Sequence, residues 1–216
     1  MACLSSTKQR ADLRLQTVRA HKNPYAKPDR FTRAAKAAGF PARSVFKLEE
    51  IDRRARVLTA GQRVLDLGAA PGSWALYAAQ KIGPRGSLLA VDLEPLGTAL
   101  PPHAVFEQGD ALSLSNEALA RFAPYDVVLS DMAPRTTGSR VTDQARSYDL
   151  FMRALAIAAA LGAPGGTFVG KIFMSDDMPA ARAELRRLYA HERLIRPEGT
   201  RAVSMEIFAV GTEKRS

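Results

Sequence analysis

Short apolar runs alternate with amphipathic segments along the chain from residue 62 onward. Six of the runs have the composition of buried strands: RVLDL, SLLAVDL, AVFEQGD, YDVVLSD, GTFVGKIF and VSMEIFAV. Helical patterns lie between them, over Trp74–Ile82, Asn116–Phe122, Asp143–Leu161 and Ala180–Tyr189. This alternation predicts an α/β fold with a mostly parallel sheet and helices on both of its faces.

Two more helices are predicted before the first strand, over Asp29–Ala38 and Arg43–Val57. In the second, five apolar residues recur at helical spacing: Val45, Phe46, Leu48, Ile51 and Ala55. Residues 1–27 show no sustained periodicity and end in Asn-Pro and Lys-Pro pairs, so we expect a mobile or loosely docked segment there. We therefore divide the chain into a basic extension, residues 1–40, and one globular domain, residues 41–216.

Positive charge is concentrated near the start of the chain. The protein has 31 Lys and Arg against 22 Asp and Glu, a net charge of +9. Residues 1–60 hold 14 basic and 5 acidic residues, whereas residues 61–216 hold 17 of each. A basic segment on a neutral body is expected of a protein that docks on nucleic acid, because neutralising phosphates releases counterions. A solvated basic tail without a specific partner explains the same composition.

Several features concern the compartment of the protein and its metal content. The single cysteine, Cys3, cannot form an internal disulfide, and the first residues lack the apolar core of a secretory signal. No stretch has the roughly 18 to 20 apolar residues that cross a bilayer. We therefore expect a cytoplasmic protein without a membrane partner. The three histidines are scattered, so no metal site is expected: His21, His103 and His191.

Glycines and carboxylates follow the first three apolar runs, at the strand ends where open α/β sheets bind ligands. The sequence DLGAAPG, residues 66–72, has small residues that let a ligand approach the backbone. It matches neither a triphosphate-binding loop nor the three-glycine dinucleotide fingerprint. Asp92 and Asp110 close the next two runs, although a capping or turn role explains either one alone. Together these residues predict an adenosine pocket.

Later apolar runs carry isolated charges. YDVVLSD ends in Asp131, GTFVGKIF contains Lys171 and VSMEIFAV contains Glu206. Buried charges are costly unless they are paired, so these residues are candidates for a functional site. A strand-end side chain that reaches solvent explains any one of them alone. Lys47 lies on the helix predicted over Arg43–Val57.

Five of these segments together resemble the RrmJ/FtsJ family of ribosomal RNA methyltransferases in order and approximate spacing: ARSVFKLEEI, VLDLGAAPGSW, SDMAP, the Lys of GTFVGKIF and the Glu of the last run. The resemblance covers roughly residues 42–211. It implies a Rossmann-like methyltransferase fold with seven strands and an antiparallel last strand. The implied catalytic residues are Lys47, Asp131, Lys171 and Glu206. The implied S-adenosylmethionine-binding residues are Gly68, Gly72, Trp74, Asp92, Asp110 and Asp131.

The resemblance also implies a reaction and its partners. The expected enzyme is a monomer that methylates a ribose 2′-hydroxyl in large-subunit (23S) ribosomal RNA, with a uridine as target and the assembled subunit as substrate. In this interpretation Lys171 accepts the hydroxyl proton, which requires its neutral form. Burial and repulsion from Lys47 favour that form, whereas Asp131 opposes it. The chain departs from the family at Ser73, where a second glycine is common, and at Arg135, where Asn is usual.

Other functions fit the sequence less fully. A non-catalytic RNA-binding assembly factor with the same fold has no physical reason to keep Lys47, Asp131, Lys171 and Glu206 together. A small-molecule methyltransferase leaves the basic segment unexplained. A different RNA target, such as tRNA, is compatible with the same residues.

Overall fold

Seven strands and six helices make up the part of the chain that the computed structural model describes, residues 30–198, 200 and 204–216. The strands are β1 (Arg63–Leu67), β2 (Ser87–Asp92), β3 (Ala104–Gln108), β4 (Tyr125–Ser130), β5 (Gly162–Phe173), β6 (Tyr189–Ile195) and β7 (Glu206–Lys214). The helices are α1 (Arg30–Ala37), α2 (Val45–Ala55), α3 (Ser73–Ile82), α4 (Asn116–Leu119), α5 (Arg140–Leu161) and α6 (Met178–Leu188). The predicted mobile segment, residues 1–27, lies outside the described residues.

One sheet contains all seven strands, in the order β3-β2-β1-β4-β5-β7-β6. The pairs among β1 to β5 are parallel, whereas β7 is antiparallel to both β5 and β6. This arrangement confirms the predicted α/β fold, with its mostly parallel seven-stranded sheet and antiparallel last strand. The order reverses between β1 and β4, which is where open α/β sheets bind ligands.

The alternation of side chains along each strand builds a core on both faces of the sheet. Val64 packs on the face covered by α2 and α3, and its neighbour Leu65 packs on the face covered by α5 and α6. Leu88 and Leu89 divide in the same way. Because successive strand residues point to opposite faces, a strand buried on both sides is apolar nearly throughout. This is why the first apolar runs were recognisable as strands.

Helix α2 covers one face of the sheet with an apolar stripe. Val45, Leu48 and Ile51 recur every three residues and are at most 1% exposed. Helix α1, the described part of the basic extension, packs beside α2 through the fully buried Ala35. The rings of Phe31 and Phe46 lie 5.9 Å apart between the two helices. The N-terminal basic residues from Arg30 onward are therefore attached to the body of the domain.

Strand β6 differs from the segment-by-segment prediction, which assigned a helix up to Tyr189 and no strand after it. Helix α6 ends at Leu188, and β6 begins at Tyr189. The strand lies at the edge of the sheet, where Ala190, His191 and Arg193 are exposed. An edge strand does not need a continuous apolar run, so its pattern was not recognisable. Among the described helices, none is long and apolar enough to cross a membrane.

Candidate active site

A groove of about 360 Å³ opens at the carboxyl ends of β1, β2, β3 and β4. It lies beside the point where the strand order reverses. Residues that follow these strands line it, including Gly68, Ala70, Asp92, Asp110, Asp131 and Met132. The sequence predicted four of these six as ligand contacts, and the fold brings all four to one cavity.

Two glycines shape the loop between β1 and α3. Gly68 has φ +78°, and a Cβ atom there would lie 2.7 Å from the backbone nitrogen of Met132. Gly72, which caps the N-terminus of α3, has φ +109°. Both conformations are strained for any residue with a side chain. The close approach of residue 68 to Met132 therefore requires glycine, and Gly68 forms part of the groove wall.

The carboxylates of Asp92 and Asp110 are fixed by backbone amides. Asp92 Oδ2 accepts a hydrogen bond from the Ala70 N–H at 2.8 Å, and its Oδ1 accepts one from the Glu94 N–H at 2.9 Å. Asp110 Oδ1 accepts from the Leu112 N–H at 2.9 Å. These bonds hold both side chains at the groove while each oxygen keeps a second lone pair for a ligand hydroxyl. Each of these two residues can therefore stabilise its own turn and still bind a ligand.

Lys171 and Asp131 form a pair at the wall of the groove. The Lys171 side chain is only 6% exposed, and its Nζ lies 2.9 Å from Asp131 Oδ1. Nζ also donates a short hydrogen bond to the backbone carbonyl of Asp131. The pairing of β4 with β5, which sets Ser130 beside Gly170, brings the two residues together. A buried amine held by two oxygens of one residue has a fixed orientation.

Lys47 and Glu206 form a second ion pair over the same strands. The two side chains are 13% and 11% exposed, and Lys47 Nζ lies 6.0 Å from the centre of the Phe208 ring. Phe208 is directly opposite Lys171 in the β5–β7 ladder. Because side chains two residues apart share a face, Glu206 and Lys171 point to the same side of the sheet as diagonal neighbours. The four predicted catalytic residues therefore form two adjacent pairs.

Trp74 takes a different position from the groove residues. Its side chain is buried, its indole Nε1–H donates to the Ser44 carbonyl at 2.9 Å, and its ring packs 5.5 Å from that of Phe208. The hydrogen bond joins α3 to the start of α2, the helix that carries Lys47, and the ring contact joins α3 to β7. Neither Trp74 nor Gly72 lines the groove: Gly72 caps the N-terminus of α3, and Trp74 lies in its first turn.

Ser73 is one of the two departures from the family pattern, and its hydroxyl both accepts and donates a hydrogen bond. Its Oγ accepts from the Ala42 N–H at 2.8 Å and donates to the Ala42 carbonyl at 3.0 Å. The other departure, Arg135, is 90% exposed and lies 3.4 Å from Glu94 across the mouth of the groove. Ser73 therefore strengthens the contact with the segment before α2, and Arg135 adds its charge at the entrance.

Asp66 is a buried acid that the sequence patterns did not single out as a candidate site residue. It is 0% exposed within β1, and neither carboxyl oxygen has a hydrogen-bond partner among the described residues. Burial raises its pKa well above 3.8, and the negative charges of Asp131 and Asp92 raise the pKa further. An acidic residue inside the apolar run RVLDL was the signal that could have singled it out.

Among the described residues, no group of three or more His, Cys, Asp or Glu side chains is placed to hold a metal ion. The clustered acidic residues of the groove are instead tied to backbone amides or to Lys171.

Comparison with known proteins identifies close relatives over most of the chain. A ribosomal RNA large subunit methyltransferase E from Sorangium cellulosum is 70% identical over 195 residues, which cover 90% of this chain and 92% of that protein. Proteins of the same name from Oleidesulfovibrio alaskensis and Bdellovibrio bacteriovorus are 48% and 46% identical, over 85% and 88% of this chain and 90% and 99% of their own lengths.

Solved structures agree with the fold. A ribosomal RNA methyltransferase from Plasmodium falciparum superposes with a TM-score of 0.71 at 20% identity, over 81% of this chain and 98% of that one. Human methyltransferase-like protein 13 in complex with SAH gives 0.52 at 19% identity, over 70% and 71%. The model of the FtsJ-like methyltransferase family matches residues 40–214. The chain therefore belongs to the FtsJ-like methyltransferase family.

Proposed function

We propose that this enzyme transfers a methyl group from S-adenosylmethionine to a ribose 2′-hydroxyl of large-subunit ribosomal RNA, with a uridine as the target. The buried pair of Lys171 with Asp131 at the groove wall is the observation that carries the proposal. Relatives named for large-subunit ribosomal RNA methylation, 46% to 70% identical, support the substrate class. We further propose that a monomer acts in the cytoplasm on the assembled subunit.

The groove is suited to the cofactor by its shape and its chemistry. Gly68 lets the loop after β1 pack closely against Met132 at the groove wall, and Asp92 and Asp110 offer carboxylate oxygens to ribose hydroxyls. Gly72 and Trp74 lie at the N-terminus of α3, next to the loop that lines the groove. Backbone N–H groups in the first turn of a helix favour an anion, here the carboxylate of S-adenosylmethionine. When bound, S-adenosylmethionine supplies a methyl group on a positively charged sulfur that is open to direct displacement.

Lys171 is the proposed base that takes the proton of the 2′-hydroxyl at Nζ. A neutral amine has two N–H groups and one lone pair. The two oxygens of Asp131 that contact Nζ, one from the carboxylate and one from the backbone carbonyl, can accept both N–H groups. The lone pair is then left for the hydroxyl proton. In this proposal Asp131 orients the base, and it also shares the groove with the cofactor.

Lys47 and Glu206 are proposed to position the ribose beside Lys171. Glu206 can accept a hydrogen bond from a sugar hydroxyl, and its pairing with Lys47 prevents an unpaired negative charge beside the base. Holding the reacting groups in line supplies much of the rate advantage of a displacement reaction.

RNA binding next to this site is supported by helix α1. Arg30, Arg33 and Lys36 are exposed on it, and it packs against α2, the helix of Lys47. Helix α1 therefore places three positive charges on the surface beside the helix that carries Lys47. Neutralisation of phosphates by such residues makes RNA affinity depend on salt.

The proposed function is tested with large subunits from cells that lack this methyltransferase. The protein should transfer labelled methyl groups to one ribose, located by mapping 2′-O-methylation along the RNA. Lys171→Ala should abolish transfer while S-adenosylmethionine still binds in calorimetry. Lys171→Arg is the matched control, because it keeps a positive charge but cannot act as a base, and it should be equally inactive. Turnover by either variant would remove Lys171 from the base role, and an inactive native protein would favour a binding factor.

A further inference from the structure

A second groove, lined mainly by basic residues, lies between the C-terminal end of α2 and the edge strand β6, away from the proposed methyl-transfer site. It has a volume of about 440 Å³ and is lined by Arg54, Ala55, Arg56, His191, Arg193 and Thr212. Thr212 is opposite His191 in the β6–β7 ladder and follows Glu206 by six residues on β7. At about 3.3 Å per strand residue, Thr212 lies roughly 20 Å from Glu206 along β7. Arg54, seven residues after Lys47 on α2, lies roughly 10 Å from Lys47 along the helix.

The groove presents positive charge of which only part is neutralised. Arg54 pairs with Glu50, and His191 lies 3.4 Å from Glu213. Arg193 donates a hydrogen bond at 3.0 Å to the carbonyl of Arg54, which leaves its charge without a carboxylate among the contacts described. The exposed Arg56 likewise has no carboxylate partner in the described part of the chain. Two guanidinium charges therefore face solvent in one concave surface.

The chemistry of this surface favours phosphates over a protein partner. A guanidinium group presents a planar fork of N–H donors that matches phosphate oxygens. Protein interfaces are anchored by apolar and aromatic residues, whereas here Ala55 is the sole apolar residue in the lining. We propose that the groove formed by Arg54, Arg56, His191 and Arg193 binds the sugar-phosphate backbone of the substrate RNA, roughly 10 to 20 Å from the methylated nucleotide.

This inference rests on the proposed function, because it assigns a second contact to the same RNA. It predicts that the groove contributes to RNA affinity without contributing to the chemical step. Arg56→Gln should remove one phosphate contact. The slope of log affinity against log salt should fall by about 0.7 to 1, and KM for the RNA should rise about fivefold with kcat unchanged. Arg56→Lys keeps the charge and should restore most of the affinity.

The experiment measures RNA binding by titration at several salt concentrations and methylation under saturating S-adenosylmethionine. Substrates are the large subunit and the same RNA freed of protein. Arg121→Gln is the matched control, because Arg121 is exposed beyond α4, on the opposite side of the sheet from α2. It should change neither the salt slope nor KM.

The outcomes separate this inference from the proposed function. If the native protein methylates RNA but Arg56→Gln keeps the native salt slope and KM, the inference is wrong and the proposed function stands. An effect on whole subunits that disappears with protein-free RNA would assign the groove to a ribosomal protein and also overturn the inference. If the native protein binds RNA without methylating it, the salt slope still tests the groove. A fall in kcat without a change in KM would contradict a docking role.

Discussion

The buried acid Asp66 should make the stability of this enzyme depend on pH, and Asp66→Asn tests this. The carboxyl is fully buried, and neither of its oxygens has a partner among the described residues. Burial, followed by the charges of Asp131 and Asp92, raises its pKa well above 3.8. In the unfolded chain the group titrates near its ordinary value. Between these two pKa values the folded protein therefore holds a proton that the unfolded chain has lost.

The sign and size of the effect follow from this difference in bound protons. Stability is highest below pH 3.8 as far as this group is concerned, and it is lost as the pH rises toward the raised pKa of the folded state. The loss approaches about 1.4 kcal/mol for each pH unit in that window. Asparagine has the same shape and does not titrate. Its unpaired amide lowers the unfolding free energy by the same amount at every pH, so the unfolding free energy of the variant should lack the dependence on pH that Asp66 causes.

Urea unfolding at several pH values from about 5 upward measures the slope. The fluorescence of Trp74, the single tryptophan, reports the transition. The difference in unfolding free energy between Asp66→Asn and the native protein should grow in favour of the variant as the pH rises. Asp149→Asn, which removes an exposed carboxyl on α5, is the control and should leave the difference constant. If the unfolding free energies of Asp66→Asn and the native protein change in parallel with pH, Asp66 is not a buried acid with a raised pKa.

Three further predictions concern the contacts around the groove. Trp74→Phe leaves the Ser44 carbonyl without its donor and should lower the unfolding free energy by about 1 to 3 kcal/mol, measured by circular dichroism in urea because the variant lacks tryptophan. An unchanged midpoint would contradict a stabilising contact between α3 and the start of α2. Gly68→Ala forces a Cβ against the Met132 nitrogen, so calorimetry should show S-adenosylmethionine binding at least about tenfold weaker, a loss of about 1.4 kcal/mol of binding free energy. An unchanged affinity would show that the loop relaxes to accept the methyl group. Enzyme treated with EDTA and then desalted should methylate RNA at the untreated rate, whereas activity lost and then recovered with a divalent ion would indicate a metal-dependent methyltransferase.

Sequence patterns predicted the interior strands well and the edge of the sheet poorly. β1 and β4 are buried on both faces, so their apolar runs were unmistakable. β6 has exposed residues because one of its sides has no neighbouring strand, and only the family resemblance implied a seventh strand. Helix α4 ends at Leu119, three residues before the predicted end at Phe122. The predictions were weakest where burial on two sides did not constrain the residue type.

The candidate site shows the same division. Asp92 and Asp110 were placed from the rule that ligands lie beyond strand ends, and both line the groove. The contact of Lys171 with Asp131 depends on the register of β4 against β5, which no local pattern specifies. Trp74 is assigned to the cofactor by resemblance alone, which remains a prediction, and no local pattern indicates that its indole N–H contacts the Ser44 carbonyl. Residue types could be predicted, but their partners required the fold.

The pairing of the four charged residues limits how single substitutions at this site can be interpreted. Lys171 with Asp131 and Lys47 with Glu206 are mostly buried, so removing one partner leaves the other charge uncompensated, which costs up to about 3 to 5 kcal/mol in a fully buried pair. Loss of activity in Asp131→Ala or Glu206→Ala would therefore combine a chemical effect with a rearranged site. Substitutions at both members of a pair, compared with each alone, separate the two, because the coupling between partners appears as the deviation from additivity. We therefore expect such a cycle to separate the base role proposed for Lys171 from the support proposed for Asp131.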